Sequence, residues 1–139
     1  MNTRTLAPGG VPSGKHFNTV QLIGPMRGLD DANRPAFHWE AERLRGSGYE
    51  VWSPAEMEDT GQPWHALMAP CIAQIPQSDA LVALTGWEDS IGATIEAMIA
   101  VVLHKPLLEE YHLEPIDVHP LRQQLAAILP QTNGQFPAG

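Results

Sequence analysis

Cysteine is almost missing from this chain: Cys71 stands alone. An internal disulfide is therefore excluded, and the usage fits a reducing compartment. Basic residues are scarce as well, with 8 Lys and Arg against 16 Asp and Glu and a formal net charge of −8. Recognition of a long phosphate backbone needs clustered cations, and these are scattered, so a nucleic acid polymer is not an expected partner; the acidity reads as solubility. No apolar run is long enough to cross a bilayer, because the stretch Ala93–Leu103 is short and broken by Thr94 and Glu96. Residues 1–15 are polar, rich in Gly and Pro, and lack the apolar core of a secretion signal. The expectation is a cytoplasmic protein with no membrane partner. The 6 histidines show no ligand spacing such as His-Glu-x-x-His, so no metal is expected. Walker, Gly-x-Gly-x-x-Gly and Gly-x-Ser-x-Gly motifs are absent too, and no cofactor is expected.

What remains is an ordinary globular composition, 43% hydrophobic and 17% charged, in 139 residues. That is one domain with a real core. Residues 1–18 read as a flexible lead-in, 19–130 as the domain, and 131–139 as a loose tail. Thr19–Ile23 is a short β-prone run ending at Gly24. A helix is predicted over 33–47, with Phe37, Ala41 and Leu44 on one face and Gly46-Ser47-Gly48 ending it. Tyr49–Trp52 reads as a second strand. A helix over 64–75 carries Pro70, which lacks an N–H and so either kinks it or starts another. Ala80–Leu84 is an unbroken apolar run, as in a strand buried on both faces. A helix over 93–103, a strand over 105–108 and a helix over 118–129 follow.

Strands and helices alternate, which predicts an α/β fold with a mostly parallel sheet covered on both sides. In such sheets ligands sit beyond the carboxyl ends of the strands. Three loops are placed there: 24–31, 53–63 and 85–92.

The first loop, Gly24-Pro25-Met26-Arg27-Gly28, sets an arginine between glycines directly after a strand. Glycine admits close backbone approach, and Arg forks onto phosphate or carboxylate; an ordinary turn with a surface arginine is the competing reading. In the third loop, Ser90, Gly92 and first-turn N–H groups would cradle an anion at a helix's positive end. Glu96, about a turn further on, would face the same cleft as nucleophile or base, or would simply stabilise the helix dipole. Trp64, Met68 and Trp87 would line an aromatic wall for a base, or pack in the core.

In order along the chain, Ile23–Gly28, Asn33–Phe37, Trp64 with Met68, Ser78–Val82, and Gly86-Trp87-Glu88 with Ser90, Gly92, Ala93 and Glu96 form one series. From Thr19 to Leu108 that series resembles the nucleoside 2-deoxyribosyltransferase-like superfamily, especially a branch common in phages and bacteria and related to 2'-deoxynucleoside 5'-phosphate N-hydrolases. The resemblance implies a flavodoxin-like three-layer sandwich with four or five strands. It implies a reaction at an N-glycosidic bond, with Glu96 as the nucleophile on the anomeric carbon. It assigns Gly24, Met26, Arg27, Gly28, Ser90, Gly92 and Trp87 to substrate and phosphate binding. Ser90 stands where nucleoside-specific members tend to carry Asp, which favours a 5'-monophosphate. Relatives complete each pocket with a neighbouring subunit, implying a homodimer or larger assembly.

Two positions depart from that family. Gln21 stands where Tyr is usual, and Cys71 where an Asp positions the nucleophile or protonates the departing base. A thiol near a helix start has a lowered pKa and would replace that acid; a small buried hydrophobe is the competing reading. Three functions follow: an N-glycosidase or deoxyribosyltransferase acting on a nucleotide, a catalytically degenerate nucleotide-binding protein, or a scaffold engaging a protein partner.

Overall fold

The computed structural model describes residues 17–129. The expected tail from 131, and the lead-in as far as 16, lie outside the described residues. Phe17 and Asn18, the last two residues of the expected lead-in, are among the described residues. Phe17 is buried in the core, and the Asn18 and Thr19 N–H groups donate to Asp79 Oδ2 at 2.7 and 3.0 Å.

Strands β1 (Thr19–Ile23), β2 (Glu50–Trp52), β3 (Ala80–Ala83) and β4 (Leu107–Glu109) form one parallel sheet in the order β2-β1-β3-β4. Helices α1 (Arg34–Gly46), α2 (Trp64–Gln74), α3 (Ile91–Val102) and α4 (His119–Ile128) provide the connections and the cover. The result is an α/β three-layer sandwich of flavodoxin-like order. Among the described residues no helix is long and apolar enough to cross a membrane.

Alternation along β1 separates the layers. Val20 and Leu22 point into a cluster with Phe37, Ala41 and Leu44 of α1. Ile23 joins Leu81, Ala83 and Leu107 against Ala93, Ala97 and Ala100 of α3 and Leu121 and Leu125 of α4. The run of alanines lets α3 lie close to the sheet. Proline at 70 does not break α2, which runs on through it to Gln74. Helix α3 starts two residues earlier than its apolar pattern suggests because Ser90 caps it, accepting from the Ala93 N–H at 3.2 Å.

After β4 the chain doubles back. The Glu109 N–H donates to Glu114 O at 2.9 Å, the Ile116 N–H to Leu107 O at 2.8 Å, and Leu108 pairs antiparallel with Pro115. Helix α1 also buries a charge. Glu40 is fully buried, takes a forked pair of bonds from Arg43 at 2.9 and 2.7 Å, and accepts from the Tyr111 N–H at 3.3 Å. This carboxylate ties α1 to the turn that follows β4.

Strand order reverses between β1 and β3: one connection leads outward to β2, the next to β3 and β4. The crevice of an open α/β sheet lies at that reversal, and Gly24 stands at its mouth. A Cβ on Gly24 would come within 2.9 Å of Leu84 Cβ and 3.3 Å of Phe37 Cζ. Both neighbours are buried, so neither yields easily. Gly24→Ala is expected to cost about 1–3 kcal/mol through overpacking, seen as a lowered urea midpoint with an unchanged m-value; an unaltered midpoint would show that the two strand ends part freely.

Candidate functional site

A cavity of about 450 Å³ opens at this reversal. It is walled by the loop after β1, the segment after β2, one side of α2 and the start of α3. Of the residues singled out in the sequence, Gly24, Met26, Arg27, Cys71, Ser90, Gly92 and Glu96 line it, together with Trp64 and Met68. Gly28 and Trp87 do not. Gly28 is exposed with φ +80° and serves the turn, while Trp87 packs against the α3 and α4 core. Of the three side chains read as an aromatic wall or as core packing, Trp64 and Met68 line the cavity, while Trp87 is partly buried against the core.

Glu96 is the most unusual group in the wall. It sits on the sheet-facing side of α3, only 5% exposed, and its Oε2 has no hydrogen-bond partner among the described residues. Burial without a donor disfavours the charged form, and the carboxyl is pushed up to about 8. Buried polar atoms in folded proteins are nearly always bonded, so an orphan carboxyl oxygen on a cavity calls for a ligand's donor.

At the mouth of the same cavity, the Ser90 side chain takes the Ala93 N–H. The remaining first-turn N–H groups of α3 have no acceptor within the helix. Gly92 is closely approached here: a Cβ would lie 3.2 Å from Met68 Sδ and 3.5 Å from Trp64 Cζ2. Trp64 is therefore seated against α3 on one edge, and its ring carries the Arg27 guanidinium carbon 5.6 Å from its centre. Arg27 is exposed and free to fork onto an anion.

The loop bearing Arg27 closes through an uncommon turn. Asp31, Ala32 and Asn33 take φ values of 50°, 51° and 60°, left-handed at three successive non-glycine residues. Such strain persists only where neighbours over-determine it. Here Asn33 Nδ2 donates to Pro25 O at 2.9 Å and Arg34 bonds Asp31 Oδ1 at 3.2 Å. Arg34 also faces Asp59 at 3.9 Å, and both line the cavity, as does Asp89. The sequence reading did not assign these three to the site. The run Asn33-Arg34 was visible in it, but not that the segment after β2 would swing Asp59 across to meet it.

Behind Glu96 the two departures noted in the sequence meet. Gln21 is fully buried, donates from Nε2 to Cys71 O at 2.7 Å and accepts from Ser78 Oγ at 3.2 Å. Cys71 is not at a helix start, as its proposed role as an acid needed; it lies well inside α2, and its thiol donates to Leu67 O at 3.4 Å. Burial, followed by the nearby Glu96 charge, pushes the thiol up to about 12, the opposite of the lowering anticipated. No group of three or more His, Cys, Asp or Glu is placed to hold a metal among the described residues.

Compared with protein families, residues 18–109 match a domain of unknown function, DUF4406. None of the curated proteins compared matches the chain.

Proposed function

We propose that this chain, which belongs to the DUF4406 family, binds a 2'-deoxynucleoside 5'-monophosphate and cleaves or transfers at its N-glycosidic bond. The observation that carries this reading is Glu96: a buried carboxyl with an unpartnered oxygen, on the same cavity as Arg27 and the capped amino end of α3. The 5'-phosphate is held by Arg27 and the free N–H groups of α3. That leaves the sugar over Glu96 and the base toward Trp64 and Met68. The carboxylate attacks the anomeric carbon, the base departs, and water or a second base releases the sugar. The resemblance to deoxyribosyltransferase-like enzymes supports the same assignment. A homo-oligomer also belongs to this reading, since Leu29 and Ile91 stand exposed at the cavity rim.

Incubation with a panel of deoxynucleoside monophosphates that includes ring-methylated members, followed by chromatography for free base, tests it; no base from any member overturns it. Arg27→Ala is expected to raise KM for a monophosphate at least about tenfold with kcat little changed, and to leave a free nucleoside unaffected. Equal effects on both substrates would remove Arg27 from phosphate recognition.

One observation favours a second reading, a nucleotide-binding protein without turnover. The thiol at Cys71 is bonded to its own helix and pushed up to about 12, which makes it a poor proton donor to a departing base. Calorimetric binding of a monophosphate with no base released, unchanged in Glu96→Gln, would select this reading.

A further inference from the structure

Departure of a neutral base from a sugar leaves negative charge on nitrogen, and a positioned acid ordinarily meets it. The titratable and charged side chains on the cavity are few. Glu96 comes from α3, Cys71 from α2, Arg27 and Arg34 from the loop after β1 and the start of α1, Asp59 from the segment after β2, and Asp89 from the turn before α3. Cys71 spends its proton on the Leu67 carbonyl. Asp59 and Asp89 are exposed, and Asp59 faces the Arg34 guanidinium at 3.9 Å. Gln21, behind Cys71, is an amide held at both ends by Cys71 O and Ser78 Oγ. The described chain thus offers a nucleophile with no buried acid beside it.

The balance of charge points the same way. Three carboxyl groups line the cavity against two guanidiniums, and Arg34 is already engaged by Asp31 and Asp59. Glu96 itself is buried, and its Oε2 has no hydrogen-bond partner among the described residues. A ligand that brought a positive charge to the floor of the cavity would supply both what the carboxylate lacks and what the leaving group needs.

We propose that the substrate is a nucleotide whose base is already cationic, a ring-alkylated purine or another quaternised N-heterocycle, so that the base leaves without being protonated. This rests on the glycosidic reading above and narrows it. One Glu96 carboxylate oxygen forms a bond to the anomeric carbon while the carbon–nitrogen bond breaks. The bonding pair passes to the ring nitrogen and cancels its positive charge, and the base departs neutral. Water then adds to the glycosyl ester, giving the free sugar phosphate and returning the carboxylate with release of one proton. No proton is required from the protein in the first step.

The full chain is incubated with 7-methyl-2'-deoxyguanosine 5'-monophosphate and, separately, with 2'-deoxyguanosine 5'-monophosphate. Each rate of base release is divided by that of the same compound in buffer, which removes the intrinsic lability of the methylated one. The expected result is an enhancement at least about tenfold larger for the methylated nucleotide, lost in Glu96→Gln. A resident acid reverses that order, because it accelerates only the neutral substrate, by about 10²–10⁴. Any smaller preference, or the reverse order, overturns the inference and leaves the glycosidic reading standing. Release of neither base above buffer overturns the inference, and the glycosidic reading is then decided by the wider panel of monophosphates.

Discussion

Glu96→Gln is expected to lower base release by at least about 10³-fold while leaving KM for the nucleotide within a few-fold of its starting value. The amide has nearly the size of the carboxyl and fits the same buried position on α3, but it cannot form the glycosyl ester. The groups proposed to hold the phosphate, Arg27 and the amino end of α3, belong to other residues on the cavity and are untouched. Loss in kcat without loss in binding therefore separates a reacting group from a merely adjacent one. A variant retaining a tenth of the activity would take Glu96 out of the chemistry.

The same variant should also change how stability depends on pH, whether or not the protein is an enzyme. The Glu96 carboxyl stands at about 8 in the folded chain because burial opposes its charge, against an ordinary value of 4.5. A group raised on folding contributes its full stability below the unfolded value and loses it as pH rises through the folded one. The cost thus accumulates from about pH 4.5 and levels off above about pH 8, reaching about 3–5 kcal/mol. Glutamine has no charge to bury. Urea unfolding of both proteins at pH 5 and pH 9 should show the glutamine variant gaining by this amount on the alkaline side alone. A difference that stays constant with pH would mean that the carboxyl is hydrated in the folded state. A ligand bringing a cation to Glu96 should narrow the gap, because it stabilises the charged form.

Local pattern was enough to place the four strands and four α-helices of the described residues, though not the short 3-10 turns between them, since apolar runs mark β1 and β3 and the 3.6-residue period marks α1. The parallel sheet and its ligand crevice followed from alternation. Pattern failed wherever a distant partner decided the outcome. Glu40 belongs by sequence to the polar side of α1, yet it is fully buried because Arg43 and the Tyr111 N–H satisfy it, the latter 71 residues away. Trp87 and Trp64 are the same residue type; only the packing of α3 and α4 decides that one lies against the core and the other on the cavity wall. Cys71 shows the same limit. Depth inside α2 and the nearness of Glu96 set its acidity, and neither is written in the residues beside it.

The turn back along β4 has a consequence for assembly. Open sheet edges are where chains add to one another as extra strands. On this molecule the β4 side is already hydrogen-bonded by the returning segment 114–116. The opposite margin, β2, is three residues long, and its Val51 carbonyl is occupied by Arg45, itself clamped by Glu56 at 2.6 and 2.8 Å. With the β4 margin covered and the β2 margin short and partly capped among the described residues, lengthening of the sheet is disfavoured as a way for copies to join. Contacts between copies are thereby directed toward helices and loops, which narrows one route to fibrils.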